Sequence, residues 1–195
     1  NVINGASVIN KGTITNNGAI DGTAGIANIG IVNVGGSIIN TASIKIGDSA
    51  VIRDSQGHPM INSSTYAVGI YGDGANISNI GDITIGKDSI ALYAKDAPTI
   101  VTNSGNIDSS ASGAIGLFVE NSTINNTGNV TLSGANSIGM SAVNHGNIIN
   151  TGTITMNGDN SKGVYLRVGS TLNNAGGTII INGANSEGVS LDTSS

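Results

Sequence analysis

Two short motifs recur along this chain in step, and a chain built that way is confined to stacked, equivalent units. The first motif is apolar, any, Asn, any, Gly, any, apolar. It reads "ISNIGDI" at 77–83, "VTNSGNI" at 101–107, "INNTGNV" at 124–130, "IINTGTI" ending at 154 and "LNNAGGTI" ending at 179. Its glycines, Gly81, Gly105, Gly128, Gly152 and Gly176, are spaced by 24, 23, 24 and 24 residues. The second motif follows about eleven residues after each: "SIALY", "AIGLF", "SIGMS", "SKGVY" and "SEGVS", with an earlier copy, "AVGIY". Its anchors are Gly69, Ala91, Gly116, Gly139, Gly163 and Gly188. The amino-terminal part follows more loosely. Gly18 and Ala42 are 24 apart with Gly30 between them, and Ala42 to Gly81 is 39 residues, which places an inserted loop at 53–66.

Within each unit the period is two. Ile148, Asn150, Gly152, Ile154 and Met156 share one parity, and Tyr165 points away from Val164 and Leu166. Alternation of this kind marks strands. "NGDN", "NGAN" and "SGAN" break them, because Asn and Gly tolerate the positive φ of tight turns. A unit of about 24 residues cannot bury its own apolar face, so it must stack on its neighbours. The chain is therefore expected to be all-β, a right-handed parallel β-helix forming one segment over 1–195; the hand follows from the rule for parallel crossovers. Roughly eight rungs at about 4.8 Å would make a rod on the order of 38 Å long. Three inward columns are expected: Ile44, Ile83, Ile107, Val130, Ile154, Ile179; Ile46, Ile85, Leu132, Met156, Ile181; and Ile70, Leu92, Leu117, Met140, Val164, Val189. Asn40, Asn79, Asn103, Asn126, Asn150 and Asn174 should stack at a corner, their amides hydrogen-bonding along the rod.

Charge narrows the partners. The chain has 12 acidic against 7 basic residues, a net charge of −5, which disfavours nucleic acid and anionic lipid. It has no cysteine, which excludes disulfides and thiolate metal sites. No apolar run is long enough to span a membrane as a helix. The opening "NVINGASVIN" has the character of a fragment of a longer protein, with targeting signals elsewhere.

"NTGTITMNGDNSKGVYL" and "NNTGNVTLSGANSIGM" resemble passenger-domain repeats of type V autotransporter adhesins, closest in flavour to the large fusobacterial outer-membrane adhesins. The resemblance runs through most of the chain, best from about 67 to 191. It implies a passenger displayed outside the outer membrane of a Gram-negative bacterium by a carboxy-terminal barrel. It implies adhesion to a host or bacterial cell-surface protein or glycan, and it supplies no catalytic residue.

Few groups are placed for catalysis, so no enzyme activity, cofactor or metal is expected. His145 sits in "VNHGN", a turn, and His58 lies in the inserted loop with Arg53 and Asp54, the only polar cluster resembling a site. The acidic residues are scattered, whereas solenoid glycosidases pair them across a groove. One surface feature stands out. Tyr71, Tyr93, Phe118 and Tyr165 each follow the second anchor by two residues, with Ser141 and Ser190 in the same place elsewhere. Alternation turns that column outward. It could lend flat contact area to a partner, or the rings could simply stack on each other. Arg53, Asp54, His58 and the four aromatics are thus the candidate partner-binding residues. Two other functions stay open: a purely structural spacer, and a polysaccharide-active enzyme of the same fold.

Overall fold

The computed structural model describes residues 2, 3, 5–17, 25–52, 54–56, 65–96 and 99–192. The chain is a parallel β-solenoid with three faces. The first face holds strands Ile90–Lys95, Ile115–Glu120, Ile138–Val143, Lys162–Arg167 and Glu187–Asp192. The second holds Ile100–Asn103, Thr123–Asn126, Asn147–Asn150 and Thr171–Asn173. The third is a seven-stranded sheet running from Ile14–Asn16 to Thr178–Ile181. Two longer strands, Gly25–Asn40 and Thr65–Asn79, run unbroken round the corner between the first and second faces and join them into one sheet. All strand pairs among the described residues are parallel, because each strand meets its equivalent one turn later.

The regular coil amounts to about five turns of about 24 residues, fewer than the roughly eight rungs expected. The reason is visible in the asparagine column. Its steps are 30 and 39 residues before Asn79, then 24, 23, 24 and 24. Asn10 belongs to the column, so "VINKGTI" around Gly12, not the segment around Gly18, is the early copy of the first motif. Gly18 itself lies outside the described residues. Gly30 is a copy of the second motif: a Cβ there would crowd the Gly69 carbonyl, as one at Gly69 would crowd Ala91. Gly176 is likewise not the stacking glycine of its turn. It is an extra residue at φ 88°, and Gly177 takes the place over Asn150.

The three expected inward columns form in register. Ile44, Ile83, Ile107, Val130 and Ile154 are at most 1% exposed, as are Ile70, Leu92, Leu117, Met140 and Val164. Ser109 fills the gap between Ile85 and Leu132, and its hydroxyl donates to the Ile85 carbonyl. A fourth column, Ile38, Ile77, Val101, Ile124 and Ile148, lines the second face.

The corners carry most of the buried polar groups, and among the described residues the buried side-chain polar atoms are paired, as burial requires, except Asn33 Oδ1. From Asn10 to Asn150 each asparagine of the column donates one Nδ2 hydrogen to the Oδ1 of the next turn, at 2.7–2.9 Å. From Asn40 to Asn150 the other hydrogen goes to the carbonyl two residues on. The stacked glycines beside them are a steric requirement. A Cβ on Gly105 would land on the Gly81 carbonyl, and one on Gly128 on that of Gly105. At the corner between the third and first faces, buried Ser49, Ser89, Ser137 and Ser161 take the same part with hydroxyls. Ala50 and Thr65, 15 residues apart in sequence, are paired. These two residues face each other in an antiparallel bridge, with N–H···O bonds of 2.9 and 2.8 Å.

Candidate functional site

The first face positions the aromatic column. Its strands alternate, so the residue after each buried Ile70, Leu92, Leu117 and Val164 turns outward. Parallel register then places Tyr71, Tyr93, Phe118, Ser141, Tyr165 and Ser190 one above the next. The first three rings pack on each other edge to face. Tyr71 and Tyr93 have centroids 5.2 Å apart at 66°, and Tyr93 and Phe118 are 4.9 Å apart at 88°. This is the favoured geometry for aromatic quadrupoles. Ser141, 1% exposed, interrupts the column. Tyr165 stands beyond it with Lys162 Nζ 5.5 Å from its ring centroid.

A second column runs beside the rings, two residues further along each strand. Asp73 pairs with Lys95 and Lys95 with Glu120, and Arg167 pairs with Asp192. Lys95 Nζ lies 3.0 Å from Asp73 Oδ2, and Arg167 Nε lies 3.1 Å from Asp192 Oδ2. The phenols reach across: Tyr71 donates to Asp73, Tyr93 to Glu120 and Tyr165 to Asp192, the last at 2.9 Å. Asn144 Nδ2 donates to Glu120 Oε1 at 2.6 Å. The site is therefore a narrow aromatic strip edged by alternating charge.

Titration follows from these contacts. Burial and then the Asp73 carboxylate push the Tyr71 phenol up. Burial and then Glu120 do the same at Tyr93, and burial and then Asp192 at Tyr165. The hydrogen bond to Asp73 holds the Lys95 ammonium above its ordinary value. At neutral pH the strip thus carries protonated phenol donors and a charged Lys95.

Of the residues singled out from sequence, Tyr71, Tyr93 and Phe118 come together, and Tyr165 is set apart by Ser141. Asp54 is exposed, and its Oδ1 accepts the Gln56 N–H at 2.9 Å, an ordinary turn contact. Arg53 and His58 lie outside the described residues. The charged column was missed. Its signal was present as a charge two residues after each aromatic, in Asp73, Lys95, Glu120 and Arg167.

Two hollows lie elsewhere. A groove of about 240 Å³ is lined by Val51, Tyr66, Asp88, Gly113, Ile115, Asn136 and Ile138. A shallower one of about 300 Å³ on the third face is lined by Thr84, Asp108, Ser109, Ser110, Thr131 and Ser133. Burial and then Asp82 raise the Asp108 carboxyl there. Among the described residues no three His, Asp or Glu side chains converge as metal ligands, and no helix is long and apolar enough to cross a membrane. In comparisons with known proteins, the chain matches no family model, no curated protein and no solved structure.

Proposed function

We propose that this chain is a non-enzymatic adhesive segment of a bacterial surface protein, a passenger of the autotransporter type. Its partner is a protein or glycan on a host or bacterial cell. The observation that supports this reading is the strip itself. Tyr71, Tyr93 and Phe118 form one aromatic ridge, flanked by Asp73, Lys95 and Glu120, on a face whose inward side is fully packed. Rigid rings give contact area at low entropic cost, and alternating charges beside them set specificity. Without a deep pocket, affinity comes from the length of ridge engaged.

A second reading is favoured by the same rings. They pack on each other, and their phenols find carboxylates within the chain, so the column also serves as a stabilising clasp on a spacer. One double substitution separates the two. Serine is the native occupant of this column at Ser141 and Ser190, so Tyr93→Ser with Phe118→Ser keeps a residue the fold already accepts. The adhesive reading expects cell, glycan-array or protein-array binding to fall about tenfold or more while the β-type circular dichroism persists. Unchanged binding, or no binding by the parent chain, assigns the segment to the spacer.

A further inference from the structure

Three outward columns run along the third face, and they differ in how their polar groups are satisfied. In the first, Asn129 Nδ2 donates to Asn106 Oδ1 at 3.1 Å, and Asn106 Nδ2 donates to Asp82 Oδ1 at 3.0 Å. In the third, Asn182 Nδ2 donates to Asn157 Oδ1 at 2.8 Å, and Asn157 Nδ2 donates to Ser133 Oγ at 3.1 Å. Between them Thr84, Asp108 and Thr131 stand in register with no such ladder. Among the described residues, the side chains of Thr84, Asp108, Ser110 and Thr131 make no hydrogen bond within the chain.

The hollow of about 300 Å³ opens on this middle column, beside a departure from the strand ladder. The carbonyls of Ser109, Leu132 and Met156 each take a backbone N–H one turn on, from Ser133, Asn157 and Asn182. The Ile85 carbonyl takes the Ser109 hydroxyl, at 2.8 Å. The link from the third face to the first also lengthens at this turn, from five residues (85 to 90) to six (109 to 115). An added residue of this kind bends the chain locally.

The lining selects a class of ligand. A carboxylate such as Asp108 only accepts hydrogen bonds, whereas the hydroxyls of Thr84, Ser110 and Thr131 both donate and accept. A group that satisfies both kinds must itself donate and accept, which is the chemistry of a sugar hydroxyl. Burial and then Asp82 push the Asp108 carboxyl up, as befits a carboxylate that receives few donors. With Lys45 one turn before Thr84, the local balance is two carboxylates against one ammonium, which disfavours an anion. A calcium ion takes about six to eight oxygen ligands, and no three acidic or His side chains converge among the described residues. The volume is at the small end for a ligand site, which suits one ring with the rest of its chain outside.

We propose that this hollow holds one neutral sugar unit of a glycan, whose hydroxyls donate to Asp108 and exchange hydrogen bonds with Thr84, Ser110 and Thr131. The site lies on a different face from the aromatic strip and does not depend on the adhesive reading.

The test is binding of the full 195-residue chain to an array of neutral glycans beside sialylated and sulfated ones, followed by titration of the tightest neutral glycan. Neutral glycans should be bound in preference to anionic ones. Asp108→Asn keeps the size of the side chain and removes one acceptor, and Thr131→Val keeps the shape and removes the hydroxyl. Each should weaken binding about tenfold, the loss of one hydrogen bond. Both side chains face outward, so the β-type circular dichroism should persist. Backbone amide shifts on adding the glycan should centre on 84, 108–110 and 131–133. Unchanged affinity in both variants, or a preference for anionic glycans, overturns the inference. So does binding that Tyr93→Ser with Phe118→Ser abolishes and Asp108→Asn spares, which would place the glycan on the aromatic strip. A chain that binds no glycan overturns it too, and binding to cells or proteins alone would then leave the adhesive reading intact.

Discussion

Asn103 donates one Nδ2 hydrogen to Asn126 Oδ1 at 2.9 Å and the other to the Gly105 carbonyl at 3.0 Å, and Asn126 repeats both bonds one turn on. Each amide therefore supports the turn before, the turn after and its own corner. Removing one takes a hydrogen bond from several buried partners at once. Asn126→Ala strips a donor from Asn150 Oδ1 and from the Gly128 carbonyl, and an acceptor from Asn103. Each such loss costs about 1–3 kcal/mol, so a destabilisation of about 3 kcal/mol or more is expected. Chemical denaturation monitored by circular dichroism measures it. A loss below about 1 kcal/mol would show that the amides are dispensable.

The glycine column gives a steric counterpart. Gly128→Ala would drive a methyl group into the Gly105 carbonyl of the preceding turn, which is backbone and cannot swing aside. Overpacking of this kind typically costs about 1–3 kcal/mol. The upper end is expected here, read as a drop in Tm, with Gly12→Ala as a neutral control because nothing lies within 4 Å of a Cβ there.

One residue looks improvable. Val168 holds φ at 44°, a left-handed conformation that a β-branched side chain strongly resists. One turn earlier the same place belongs to Asn144 at φ 50°. Val168 is 37% exposed, so little packing is at stake. Val168→Asn should raise stability by about 1 kcal/mol, seen as a higher Tm; a lower Tm would mean that the valine is held by contacts worth more than its strain.

Alkali should weaken the strip in a defined way. Tyr93 titrates above its ordinary value of 10.0 in the folded chain, so the unfolded chain gives up its proton first. The stabilisation is complete below that value and is lost as pH climbs toward the folded one. Lys95, raised from 10.5, adds a loss of the same sign. The fall in Tm between about pH 9 and about pH 11 should therefore be smaller in Tyr93→Phe than in the parent. Equal slopes would show that the phenol does not carry the effect.

The repeat was legible because stacking demands the same inward residue at the same place in every turn. Ile83, Ile107, Val130 and Ile154 could be aligned by eye for that reason. The early turns were not, because their lengths of 30 and 39 residues shift the register. Gly30 lies between Gly18 and Ala42 in the sequence, where nothing marks it as a copy of the second motif. The extra residue at Gly176 was hidden in a Gly-Gly pair that reads like a single corner. At the strip, the aromatics were visible as a column because they are one residue type. The charges beside them change sign from Asp73 to Lys95 to Glu120, so no repeat announced them; only the side-chain contacts connect them.

The break in the aromatic column at Ser141 has a metric consequence. Phe118 and Tyr165 sit two strand spacings apart, about 9.6 Å along the axis, with a serine between them. That interval is a whole number of turns and cannot drift by fractions. The coil is in this sense a ruler, and any body that touches both rings must carry matching marks at the same separation.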